Sequence, residues 1–295
     1  EFTIIELELF FDPEKPDCPF INEVADTPIK IITEKMLEDN NTMPFNTTIA
    51  KALEDGQILT PWQAYYMGVS QRFITSLGVP PGKQRFRAHL PEERAHYSAQ
   101  TYDHEAQLEW GWLEVAGHAY RTDYDLKAHA GVQEPTILRL DGTRYVPHVV
   151  EPSFGLDRLF YTTLEHAYER RGKRNIFRIP RNIAPTKIQV NPLVTRDGLP
   201  KQARVLHQTL RDRGYAATYD ESGSIGRRYA RADEIGTPLS ITIDYDTEAR
   251  QSITIRDRDT WVQVRTPIEA LLNRLRDYFD GRLEIHDLGE KIEKD

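Results

Sequence analysis

The chain opens on an alternation of period two: Ile5, Leu7 and Leu9 are apolar and Glu6 and Glu8 acidic, which predicts a strand with its carboxylates on one face. A loop rich in proline and acid is expected over 12–30. Helical spacing follows over 46–77, with Thr60 as N-cap, Pro61 in the first turn and Gly78 as the stop. Trp110 to Ala116 reads as a strand with Trp112, Glu114 and Ala116 on one face and Leu113 and Val115 on the other. A further strand carries Val149, Glu151 and Ser153 on one side. The helix after it has an apolar stripe of Leu156, Leu159, Phe160, Leu164 and Ala167, with Arg158, Thr162 and Glu165 opposite.

Near residue 184 the pattern changes. Strands at 186–194, 216–220, 239–246 and 252–259 alternate with helices ending at Gly214 and near Gly236, and a last helix is expected from Thr266 as cap. This is the signature of a compact α/β unit of about a hundred residues. Two domains are therefore expected, 1–183 and 184–295.

Composition narrows the function. A single cysteine, Cys18, rules out a disulfide framework and a thiolate zinc site, and fits a reducing, cytoplasmic setting. The nine histidines lack metal spacing, so His96, His118 and His148 read as structural. No apolar run approaches a membrane span and no signal peptide opens the chain. The net charge of -8 argues against a protein that coats nucleic acid indiscriminately. Basic residues nevertheless cluster, at Arg170, Arg171, Lys173, Arg174, Arg178 and Arg181, and again at Arg227, Arg228 and Arg231. The glycines of "SGSIG" precede no lysine and read as a turn, not a phosphate loop.

The chemistry-bearing residues lie on strands and just after them. Glu6, Glu114 and Glu151 each face either solvent or a site. In "EPSFGLDR" the strand ends in Glu-Pro-Ser, turns at Gly155 and enters a helix with Arg158 in its first turn. A cation is unfavourable at that end of the helix dipole. Two readings follow: a guanidinium placed for a polyphosphate, or a salt bridge to an acid such as Asp157.

"YVPHVVEPSFGLDR" resembles motif 3 of class II aminoacyl-tRNA synthetases, in the form used by glycyl-tRNA synthetases. "RFRAHLPEERAHYSAQTYDHEAQ" with "GWLEVAGHAYRTDYDL" resembles that family's catalytic core in its archaeal and eukaryotic branch, and "EFTIIELELFFDP" the strand after motif 2. "SGSIGRRYARADEIGTPLSITIDYDT" and "SITIRDRDTWVQVR" resemble its anticodon-binding domain.

The resemblance implies an antiparallel-sheet class II core, partial here, followed by an α/β anticodon-binding domain. It implies glycine contacts from Glu6, Glu151, Pro152 and Ser153. It places Glu114, Val115, Gly155, Leu156, Asp157 and Arg158 at the ATP site, with Glu114 and Arg158 as the catalytic pair and Mg2+ on Glu114 and Glu151. It offers Arg227, Arg228 and Arg231 to tRNA(Gly), and a homodimer as the working form. Motifs 1 and 2 are not in the chain, and 129–144 is shorter than the branch's usual insertion, so residues 1–295 alone are expected not to form adenylate. A second reading is a synthetase-like accessory subunit that binds nucleic acid without catalysis; the retained carboxylates and Arg158 favour the enzyme.

Overall fold

The computed structural model describes residues 3–129, 136–139 and 141–292. The chain folds as two compact units, Glu1–Thr163 and Leu164–Asp295. They divide ahead of the boundary expected at 183/184.

The first unit is built on an eight-stranded sheet. Its strands are β1 (Ile4–Glu6), β2 (Leu9–Phe11), β3 (Pro28–Ile32), β4 (Phe45–Thr48), β5 (Gln84–Ala88), β6 (Gln100–Leu108), β7 (Gly111–Thr122) and β10 (His148–Gly155); a separate short pair, β8 (Ile137–Leu138) and β9 (Arg144–Tyr145), lies between. The order is β1-β10-β7-β6-β5-β3-β4, with β2 also on β10, and every pairing but β3–β5 is antiparallel. The loop expected over 12–30 thus ends in a strand.

Helices α1 (Glu34–Glu38), α2 (Ile49–Glu54), α3 (Pro61–Ser76) and α4 (Tyr124–His129) complete this part. Thr60 caps α3 as expected, accepting from the Gln63 amide, and Gly78 beyond its end has φ +98°. Helix α3 lies on one face of the sheet: Phe73 meets Phe154 edge-on at 5.7 Å, and Ile74 shares a core with Val115, Ala116 and Phe154. His104, fully buried here, is held by Ser70 (2.8 Å) and Gln84 (3.0 Å). The opposite face carries the charged residues.

Two expectations of facing fail. A bulge in the β6–β7 ladder pairs His104 with Ala116 but Glu105 with Glu114, leaving Val115 as the extra residue. Ala116 therefore joins Val115 in the core, and Glu114 is left on the charged face. In α5 (Leu156–Ala167) the buried line is Leu159, Thr162, Thr163 and Ala167, while Leu156 and Phe160 are exposed. Helix α5 starts directly after the last residue of β10, with no loop between them.

The second unit takes in the last turn of α5 and then the hairpin β11 (Tyr168–Arg171) and β12 (Arg174–Phe177). A six-stranded sheet follows: β13 (Ile188–Pro192), β14 (Ala217–Tyr219), β15 (Leu239–Ile243), β16 (Ser252–Asp257), β17 (Gln263–Pro267) and β18 (Glu290–Lys291), in the order β14-β13-β15-β16-β17-β18. The pairings of β13 with β14 and β15 are parallel and the rest antiparallel. Its helices are α6 (Leu199–Asp212), α7 (Ile225–Glu234), α8 (Tyr245–Arg250), α9 (Ile268–Phe279) and α10 (Ile285–Leu288). Leu199, Ala203, Leu206 and Leu210 give α6 its buried stripe. Thr266 does not cap α9: it belongs to β17, and its hydroxyl donates to the Leu288 carbonyl.

Candidate active site

The antiparallel register brings the expected residues onto one face. Paired residues share a face, so one row runs across five strands as Arg87, Asp103, Gly117, Ser153 and Glu6. The Ser153 hydroxyl lies 3.5 Å from Glu6, at the outer limit of a hydrogen bond. A second row holds Thr101, Ala119 and Glu151, and a third Arg85, Glu105 and Glu114.

Glu6, Glu151 and Ser153 therefore form one end of the site. Glu151 is mostly buried and ion-paired with Arg121, which also binds Asp125 at 2.6 Å and stacks 4.2 Å from the Tyr97 ring. Burial disfavours the Arg121 charge, but the hydrogen bonds to Glu151 and Asp125 outweigh it and raise its pKa.

Arg158 and Glu114 form the other end. The Arg158 guanidinium contacts the Glu114 carboxylate at 3.0 Å and its carbonyl at 3.1 Å. Both side chains are close to half exposed, 41% and 47%, so the pair is open to a ligand. Opposite Glu114, Glu105 is fixed by Arg85 at 2.5 Å, and Arg85 stacks 4.1 Å above Trp112. Gly117 and Glu114 are three residues apart on β7, so the two ends are separated by about 10 Å at ~3.3 Å per residue.

The remaining expected residues make backbone and packing contacts. Pro152 and Val115 are buried on the core side, and the Pro152 carbonyl accepts from the Leu7 amide at 3.0 Å. Gly155 pairs with Ile4, the Leu156 amide donates to the Thr3 carbonyl, and Asp157 accepts from the Thr3 amide at 3.2 Å. These contacts fasten β1 to the start of α5. Glu114 and Glu151 are not brought together: Glu151 faces Ala119, five residues along β7 from Glu114. Among the described residues no group of three or more histidine, cysteine or acidic side chains is placed to hold a metal ion.

Sequence reasoning missed Arg121, the Arg85–Glu105 pair and the His89–Asp103 pair, whose Nε2–Oδ1 distance is 2.8 Å. The hydrogen bond to Asp103 raises the His89 pKa against its burial. The signal was available in "RFRAH", where Arg85, Arg87 and His89 alternate with buried residues.

In the second unit the arginine clusters separate by role. Arg171, Arg174, Arg178 and Arg181 bind acids or carbonyls of their own unit, at Glu169, Asp233, Asp259 and Glu284. Arg228 is 2% exposed and donates to the carbonyls of Pro192 and Gly223. Arg231 is paired with Asp220 at 2.6 Å. Asp233 is buried and holds Arg256 through two bonds of 2.8 and 2.9 Å. Arg227 stays exposed at the start of α7.

An anticodon binding domain family model matches residues 187–278. The glycine–tRNA ligase of Aeropyrum pernix is 37% identical over an alignment covering 99% of this chain and 64% of that protein. Those of Methanothermobacter thermautotrophicus and Archaeoglobus fulgidus are 33% and 31% identical, covering 93% and 98% of the chain and 62% and 63% of the relatives. The chain thus spans less than two thirds of each relative's length. The first alignment runs over 370 positions against 295 residues, so that relative carries residues this chain does not. An antiparallel sheet with one charged face, followed by an anticodon-binding domain, is the architecture of a class II aminoacyl-tRNA synthetase. Within that class, the chain is similar over 93–99% of its own length to longer archaeal glycine–tRNA ligases.

Proposed function

We propose that the chain supplies most of the amino-acid end and the triphosphate end of a glycine-activating site, together with a tRNA(Gly)-binding module. Glycine's carboxylate attacks the α-phosphate of ATP, releasing pyrophosphate; a terminal ribose hydroxyl of tRNA(Gly) then takes the glycyl group from glycyl-adenylate, releasing AMP. The observation that carries this reading is the shared face: Glu6, Ser153 and Glu151 at one end, Glu114 and Arg158 at the other.

Each residue has a task suited to its chemistry. Glu6 and Glu151 hold the ammonium, with Arg121 fixing the Glu151 carboxylate. Arg158 swings from Glu114 onto the γ-phosphate, where a guanidinium binds bidentately. Phosphoryl chemistry then requires alignment and charge neutralisation more than a covalent catalyst. The half-exposed Glu114 carboxylate fits Mg2+, which takes one or two carboxylates and fills its shell with phosphates and water. When bound, the ion would neutralise charge on the triphosphate. Glu151, committed to Arg121, belongs to the amine end instead.

In this reading the anticodon-binding module proper runs from 184, with 164–183 as its connector, and Arg227 is the arginine of its cluster that faces RNA. A cytoplasmic setting, which a lone, buried cysteine fits, and the homodimer that the resemblance implies complete the reading. Glycine-dependent ATP–pyrophosphate exchange and charging of tRNA(Gly) by the full-length protein test it. Exchange that glycine stimulates supports the proposal. Tight RNA binding without any exchange would favour the accessory-subunit reading.

A further inference from the structure

Gly117 sits in the middle of β7, a place where glycine weakens a strand and offers no side chain to pack. The fold itself does not ask for it. Its φ lies outside the left-handed region, and a Cβ built on it meets nothing within 4 Å. Gly68 and Gly289 contrast with it: a Cβ there would fall within 2.6 Å of Val24 and against the Arg265 carbonyl. Those two glycines are required by close packing.

Position 117 also has a particular address. It is the centre of the five-residue row that runs from Arg87 and Asp103 through to Ser153 and Glu6. Two strand spacings separate the Asp103 and Ser153 backbones, roughly 10 Å, and no side chain stands between them. Ala119, next on the same face, is small as well. The result is a shallow hollow in a sheet surface otherwise filled with long charged side chains. Its floor is Gly117. Ser153 and Glu6 bound one side, and the Asp103–His89 ion pair bounds the other.

We propose that Gly117 is a specificity-determining residue: it opens the space in which the substrate's Cα lies flat on the sheet, with its ammonium toward Glu6 and Glu151. The inference rests on the glycine-activating reading above. A substrate with no side chain offers the protein nothing to grip, so the fit must come from closeness of backbone to ligand. A methyl on the floor lifts the ligand away from both carboxylates.

The test is Gly117→Ala in the full-length protein, read by thermal unfolding and by pyrophosphate exchange with glycine and ATP varied separately. The unfolding temperature is expected to hold or rise, because alanine restricts the unfolded chain at a position where it fits. The KM for glycine is expected to rise about ten- to a hundredfold, as overpacking a fitted site predicts, with the KM for ATP changed less than about twofold. An unchanged KM for glycine overturns the assignment while leaving the glycine-activating reading intact. A marked fall in unfolding temperature overturns it too, since the glycine would then serve the fold. Wild-type protein that shows no glycine-dependent exchange removes the underlying reading, and the assignment with it.

Discussion

At the scale of single residues, the site depends on charges that are held by other charges. Arg121 binds Glu151 and Asp125 with all three side chains partly or largely withdrawn from water. Removing one partner of such a pair strands the other. Arg121→Ala should therefore cost about 2–3 kcal/mol in denaturant unfolding and raise the KM for glycine. Arg121→Lys should recover part of the stability, since it keeps the charge but loses the fork. Equal stability of Arg121→Ala and wild type would show that the pair contributes nothing. Sequence alone named Glu151 but not its anchor, because Arg121 and Glu151 lie thirty positions apart and only the ladder between their strands brings them together.

At the scale of elements, sequence alternation predicted the faces of β1 and β10 correctly and failed on β7. A strand read in strict period two places Ala116 beside Glu114, and one bulged residue at Val115 reverses that. Bulges leave no compositional mark in "GWLEVAGHAY", so this part of the site was not legible. The core side of the same strand makes a pH prediction. His118 is fully buried, neither ring nitrogen has a protein partner, and burial pushes its pKa down to about 3. His104 is lowered for the same reason. Both stay neutral in the folded state while the unfolded chain takes up protons below about pH 6.5. Stability should then fall as pH drops from about 6.5, by up to about 1.4 kcal/mol per pH unit for each histidine. Replacement by His118→Phe should flatten that slope between pH 6.5 and 4.5 in urea titrations. An unchanged slope would place the acid sensitivity elsewhere. His89 contributes with the opposite sign. Its raised pKa makes the Asp103 ion pair fully stabilising below about pH 6.5 and loses that contribution as pH rises through the folded-state value.

At the scale of the whole molecule, the domain types were legible and the detail of the RNA-facing side was not. Periodicity predicted the α/β character of the second unit, and its parallel β14-β13-β15 core follows from the crossover helices α6 and α7. The arginine clusters misled, because composition cannot distinguish a guanidinium in a buried ion pair from one in solvent. Arg228 and Arg256 are internal struts, and Arg227 is outward. Arg227→Gln should accordingly weaken tRNA binding and reduce the salt slope of log Kd by about 0.7–0.9. Arg231→Gln should move it less, its side chain being committed to Asp220. Identical salt slopes for wild type and Arg227→Gln would remove Arg227 from the interface. Division of one sheet face between an amine end and a phosphate end should show as a kinetic split in the full-length protein. Glu6→Gln and Arg158→Ala are compared in pyrophosphate exchange with each substrate varied in turn. Glu6→Gln is expected to raise the KM for glycine at least about tenfold with little change for ATP, and Arg158→Ala to do the reverse. Parallel changes in both constants for both variants would contradict that division.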